Sequence, residues 1–130
     1  MILVLGAMLG LISVAFGAYA EHGLKESLTV ANIQSLDTAI RYHQLYSLLI
    51  SVIGLTMLTA KGTSRSLQGL ALIGLLFIIG VVLFSGSIYL SLLTQTPTWV
   101  KVAPYGGMTL LFAWFSLALW GGWVGWRGRR

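Results

Sequence analysis

The stretch ALIGLLFIIGVVLF, Ala71 to Phe84, carries no charge and no polar side chain. Wound as a helix it is apolar on every face. A helix of a soluble bundle keeps one polar face towards water. This one has none, so its natural solvent is lipid.

The run continues on both sides, from about Leu67 to Leu93. A helix needs about 20 residues to cross a hydrocarbon core of about 30 Å. This one is longer, so it should tilt or emerge from the bilayer. Three further stretches are long enough to span. Met1 to Ala20 is uncharged, Thr38 to Thr59 carries Arg41 and His43 near its start, and Pro104 to Trp126 closes the set. A cleaved signal peptide is the rival for the first stretch. It lacks a basic leading region, and three more spans follow it.

Composition agrees. Of 130 residues 57% are apolar and 8% charged, against roughly 25% charged in a soluble domain. The expected architecture is all-α: an integral membrane four-helix bundle with antiparallel up-down connectivity. Its helices are expected at residues 1–20, 38–59, 67–93 and 104–126, in one transmembrane domain. Cysteine is absent, which excludes disulfides, thiolate nucleophiles and cysteine metal ligands.

Charge sets the orientation. One side of the membrane holds Lys61, Arg65, Arg127, Arg129 and Arg130, with no acid. The other holds Lys25, Arg41 and Lys101, balanced by Glu21, Glu26 and Asp37. The positive-inside rule counts Lys and Arg in short loops, so both termini are expected in the cytoplasm. The sequence pI near 10.0 does not make a nucleic-acid binder. Its basic residues are spread over both ends of the spans and form no duplex-binding face. The WRGRR tail suits anionic lipid headgroups.

The inner loop AKGTSR is short, so the second and third spans are antiparallel neighbours, with Ser64 or Ser66 to cap the third helix. The first connection is the longest. Leu24, Leu28, Ile33 and Leu36 would suit a short interfacial helix, and a plain loop fits as well. In the third connection Trp99 suits an interfacial anchor, and Pro104 the first turn of the fourth helix. Small residues mark helix-packing candidates: Gly6, Gly10 and Gly17 on the first span, Gly86 on the third, Gly106 and Gly107 on the fourth. They would serve packing within one chain or an interface between copies.

Topology brings polar groups from all four helices to the outer end. Glu21, His22 and Lys25 lie where the first span leaves the bilayer. Asp37, Arg41, His43 and Gln44 lie where the second enters. Ser85, Ser87 and Tyr89 lie near the outer end of the third, and Pro104 and Tyr105 start the fourth. Asp37 and Arg41 are four apart on one helical face, so an ion pair is expected, with Glu21 as the other candidate partner of Arg41. His22 followed by Gly23 suits a helix end, with the glycine in the left-handed cap position. Two imidazoles and Glu21 could bind zinc, but nothing in their spacing forces that geometry. The serines can return hydrogen bonds to carbonyls one turn back. Ser87 has no evident base. No phosphate loop, paired carboxylates or zinc-enzyme helix is present. No catalytic residue, metal or cofactor is expected.

Several of these stretches carry a family resemblance. GAYAEHGL, Gly17 to Leu24, is similar to GAFGAHGL. TAIRYHQLY, Thr38 to Tyr46, is similar to TAxxYQxxH, with His43 in place of Gln and Tyr46 in place of His. LFSGSIYL, Leu83 to Leu90, matches LFSGSxYL, and Pro104, Gly106 and Gly107 with Trp114 match PxGG and a later Trp. The chain resembles the small four-span membrane proteins grouped as DUF423, related to the eukaryotic transmembrane protein 256 family. The resemblance implies an integral inner-membrane protein of bacteria and no particular activity. The swap at Tyr46 speaks against a mechanism built on two fixed histidines.

The expected role is therefore a structural, partner-binding or lipid-interacting membrane protein. Its expected partners are membrane lipids, a second copy or another membrane protein, and no nucleic acid. The alternative is a transporter or channel subunit formed by oligomerisation. Against it, the polar groups collect at one end, whereas transport needs them near the midplane.

Overall fold

The computed structural model describes residues 1–60 and 64–127. Among the described residues there are four α-helices and no strand: α1 (Ile2–Tyr19), α2 (Val30–Thr59), α3 (Ser64–Thr94) and α4 (Ala103–Arg127). The helical stretches Ile2–Ser27, Arg65–Thr94 and Pro97–Arg127 are long and apolar enough to cross a membrane. α2 has the length, at 30 residues, but is not among them. Its polar side chains are the reason, and several turn inward: His43, Tyr46 and Ser47 are buried. Lys61, Arg129, Arg130 and the side chain of Ser64, which entered the charge count and the capping expectation, lie outside the described residues. Ser66 falls in the first turn of α3.

α2 packs between α1 and α3, and α3 between α2 and α4. α1 meets α3 only sparingly and does not pack on α4. The bundle is therefore open along the α1–α3 seam. Phe77 of α3 is the centre of the larger core and is fully buried. Tyr46 stacks on it at 5.6 Å, and Trp114 meets it edge-on at 5.3 Å. A second core at the polar end gathers Ala20, Leu24, Leu36, Ala39 and Tyr89. Outward the molecule is as apolar as inward. Leu48, Leu72, Leu111 and Phe112 are all exposed, as a lipid-facing surface requires.

Two close approaches need glycine. A Cβ at Gly6 would stand 2.6 Å from the backbone nitrogen of Ser51, and one at Gly54 would run into the backbone of Leu3. These two positions set the α1–α2 crossing. A Cβ at Gly106 would strike the backbone of Phe84, so it does the same for α3 and α4. Gly10, Gly17 and Gly107 make only ordinary contacts. Gly86, expected to pack helices, meets no atom within 4 Å of an added Cβ. It faces open space instead.

The first connection differs from both expectations. α1 runs on through a π turn, Ala20–Leu24, and a 3-10 turn, Lys25–Ser27. Leu28 and Thr29 alone are extended before α2 begins. α2 therefore starts at Val30, not Thr38. Thr29 caps it by accepting the Asn32 N–H at 3.3 Å, and a cap of this kind starts a helix without any apolar run. The glycine cap at Gly23 is likewise corrected. No described glycine has positive φ, and the Lys25 N–H reaches the Ala20 carbonyl across the π turn. The helix does not stop there because Ala20 and Leu24 still have apolar partners to bury against. The left-handed cap lies at the end of α3, at Gln95 with φ 52°. The Thr96 N–H then bonds the Ser91 carbonyl at 3.1 Å, as in a Schellman ending. Pro97 opens a 3-10 turn, Pro97–Val102, and Pro104 sits in the first turn of α4, as expected.

Candidate functional site

The polar residues expected together at one end divide into a surface group and a buried group. On the surface Lys25 is the hub. Its ammonium pairs with Glu21, one turn back on the same helical segment, and with Asp37 of α2 at 2.9 Å. Hydrogen bonds to Glu21 and then to Asp37 hold the Lys25 ammonium above the ordinary lysine pKa of 10.5. Asp37 is thus bound to Lys25, and no ion pair joins it to Arg41 among the described residues. The helical continuation of α1 through Lys25 is the physical reason, since it brings the ammonium to Asp37 of α2. Arg41 and His22 are exposed.

The buried group is His43, Ser85 and Tyr89. His43 is 5% exposed and Ser85 2%. The Tyr89 hydroxyl lies 3.3 Å from His43 Nδ1. The other ring nitrogen, Nε2, has no hydrogen-bond partner in the protein. Ser85 Oγ donates to the Ala39 carbonyl of α2 at 2.8 Å, and Ser87 Oγ donates to Phe84 within its own helix at 2.9 Å. Among the described residues no three His, Asp or Glu side chains gather as metal ligands.

His43, Ser85, Gly86 and Tyr89 line a cavity of about 180 Å³ walled by Leu9, Ile12 and Val81. A larger apolar groove of about 440 Å³ runs beside it between Phe16 of α1 and Leu83, Leu90 and Leu93 of α3, with Trp99 and Val102 at its end. Val82, Gly86 and Tyr89 border both. Phe16 stacks on Tyr89 at 4.0 Å between ring centres. Gln44, also expected at the polar end, faces a different, shallower groove with Gly10, Ser13, Ser47 and Ser51.

Sequence reading missed two parts of this site and the partners of a third. Lys25 was placed at this end but not paired, although it stands at the four-residue spacing from Glu21. Phe16 looked like any apolar residue of a span. Gly86 looked like a packing glycine, and only the sparse α1–α3 seam distinguishes a neck from a contact.

The comparisons agree with the membrane architecture. The chain is 28% identical over 117 residues to the UPF0382 membrane protein YwdK of Bacillus subtilis, covering 90% of this chain and 92% of that one. It is 32% identical over 116 residues to a UPF0382 membrane protein of Haemophilus influenzae, covering 89% of each. It is 29% identical over 112 residues to the UPF0382 inner membrane protein YgdD of Escherichia coli, covering 86% of this chain and 82% of that one. No solved structure matches it significantly. The family profile described as "Protein of unknown function (DUF423)" matches residues 16–107. That match runs from Phe16 at the groove to Gly107 in α4 and includes His43, Ser85, Gly86 and Tyr89. The chain therefore belongs to the DUF423 family of bacterial membrane proteins.

Proposed function

We propose that this protein is a non-enzymatic, four-span protein of the bacterial inner membrane that holds the apolar chain of a membrane lipid in the α1–α3 groove. The groove carries the reading. It is apolar, opens along the least-packed seam of the bundle and ends at Trp99, an interfacial residue type. The connections support four crossings. α1 and α3 are both apolar enough to cross, and α2 joins them while packing along both. The basic residues favour cytoplasmic termini, so the groove opens in the outer leaflet. The inner membrane is supported by the name of the Escherichia coli relative.

A phospholipid carrying a photoreactive group on one acyl chain tests this reading. In bilayer nanodiscs, saturable labelling is expected at Leu83, Leu90, Leu93 and Trp99. Labelling spread evenly over Leu48, Leu72 and Leu111 would sink it.

A second reading, a self-associating subunit, is favoured by one observation. Gln44 is an exposed amide on a helix in lipid, beside Gly10 and Ser13. Amides hydrogen-bond across membrane helices. A mass of one chain per nanodisc at high protein-to-lipid ratio would exclude it.

A further inference from the structure

We propose that the cavity beside His43 receives a small ring bearing a carbonyl or hydroxyl oxygen, the head of a lipid-soluble molecule whose apolar tail lies in the adjoining groove. The proposal rests on the groove reading above and names the chemistry at the groove's inner end.

The polar half of the argument is His43. The side chain is 5% exposed, and its Nδ1 is engaged by the Tyr89 hydroxyl. Nε2 has no partner among protein atoms. A buried polar atom normally has one. A neutral imidazole has one donor and one acceptor nitrogen. With Tyr89 donating to Nδ1, Nε2 carries the proton and suits a carbonyl oxygen. With Nδ1 donating to Tyr89, Nε2 accepts and suits a hydroxyl. The same ring oxygen, as carbonyl or as hydroxyl, therefore meets either tautomer.

Size and lining select a ring. A dry apolar cavity of about 150 Å³ takes one benzene, and this one is about 180 Å³. Leu9, Ile12 and Val81 line it, and no charged side chain does. A phosphate would find no counter-charge there, and a sugar too few partners for its several hydroxyls. Ser85, the other polar group, is already bound to the Ala39 carbonyl. Gly86 supplies the neck. It borders both spaces, and an added Cβ there meets nothing within 4 Å. The tail then passes Tyr89 and Leu90 towards Trp99.

The test uses the full chain in nanodiscs, isotope-labelled at the histidine nitrogens. The exposed His22 is the internal reference. The probes are a decyl-tailed benzoquinone, decylbenzene and dioctanoylglycerol. The quinone is expected to shift His43 Nε2 saturably and leave His22 unmoved. Decylbenzene is expected to bind through the groove more weakly than the quinone and without moving Nε2, because its ring carries no oxygen to hydrogen-bond the imidazole. His43→Phe is expected to weaken quinone binding at least about tenfold and to leave decylbenzene affinity unchanged. Gly86→Leu fills open space, so it should fold and exclude the quinone. An unmoved Nε2, or equal quinone affinity in His43→Phe, overturns the proposal. A shift by dioctanoylglycerol at equal affinity also overturns it, in favour of an acyl ester carbonyl. Failure of decylbenzene to bind at all would count against the groove reading itself.

Discussion

Ser85 on α3 and Ala39 on α2 are joined by a hydrogen bond of 2.8 Å, hydroxyl to carbonyl, across the helix interface. The Ala39 carbonyl lies one turn before His43, so the bond pins α2 where the imidazole faces the cavity. Neighbouring Ser87 makes the local alternative, a bond to the Phe84 carbonyl of its own helix. Interhelical hydrogen bonds in membranes average about 0.6 kcal/mol, with a maximum near about 1.7 kcal/mol. Ser85→Ala should cost an amount in that range in bilayer unfolding measurements, and Ser87→Ala less. Equal effects would show that the cross-helix bond contributes nothing beyond the local one.

The glycine positions give a sharper contrast. At Gly54 and Gly106 an added methyl meets backbone, which cannot rotate away. Gly54→Ala and Gly106→Ala should destabilise by about 1–3 kcal/mol, the usual cost of overpacking. At Gly10 the nearest atom is an ordinary 3.8 Å contact with Ser47. Gly10→Ala should be neutral or stabilising by up to about 1 kcal/mol, since alanine is the better helix former. Thermal unfolding in detergent reads both, and a Gly54→Ala variant as stable as the parent would mean that α1 and α2 can separate without loss.

These positions also show what was legible before the structure. The expected ends of the third and fourth helices lie within a few residues of the observed Ser64–Thr94 and Ala103–Arg127, because the apolar runs stop where the helices stop. The start of α2 was not legible that way. Residues 30–37 are mostly polar or small, and the helix there depends on the Thr29 cap and on Leu36 burying. Gly6 and Gly106 were readable from small-residue spacing and from the GG pair. Gly54 stands among bulky residues, and its partner Leu3 is distant in sequence. His43 could be placed at the polar end from sequence, but its burial could not be read there. Only the packing of α1 and α3 over it makes it a buried group.

The ion pairs at the polar end make a prediction of their own. Lys25 bridges Glu21 and Asp37, and Arg41 takes no part. A double-mutant cycle on Lys25→Met and Asp37→Asn should therefore show coupling, and one on Asp37→Asn and Arg41→Gln none. Added salt should weaken the Lys25 coupling, since screening acts on exposed charges. Because folding raises the lysine pKa, the contribution is fully present below 10.5 and is lost as pH rises through the higher folded value. Titration of the Lys25 side-chain nitrogen by NMR checks the direction. A pKa at or below 10.5 would mean that the bridge does not persist in solution.

The last prediction concerns orientation. The absence of cysteine allows single labels to be placed on an otherwise silent chain. Thr63→Cys and Arg130→Cys test the middle loop and the tail, and Thr98→Cys tests the 3-10 turn between α3 and α4. Basic residues cluster with the first two positions, and the Glu21–Lys25–Asp37 network lies at the other end with Trp99. A membrane-impermeant maleimide should label Thr98→Cys in intact spheroplasts and should reach Thr63→Cys and Arg130→Cys only after permeabilisation. Equal access to positions 63 and 130 is required by an even number of crossings between them, so their agreement tests the crossing of α3 and α4 together. Position 98 splits that pair, since α3 and α4 must each cross once to put it on the far side. The crossing of α2 needs one more label, because it is the helix whose own hydropathy falls short. Glu26→Cys supplies it: exposure on the same side as position 98 requires that α2 cross between residue 26 and residue 63. Labelling of Glu26→Cys only after permeabilisation would leave α2 on one face of the membrane, and the α1–α3 groove could not then open in the outer leaflet.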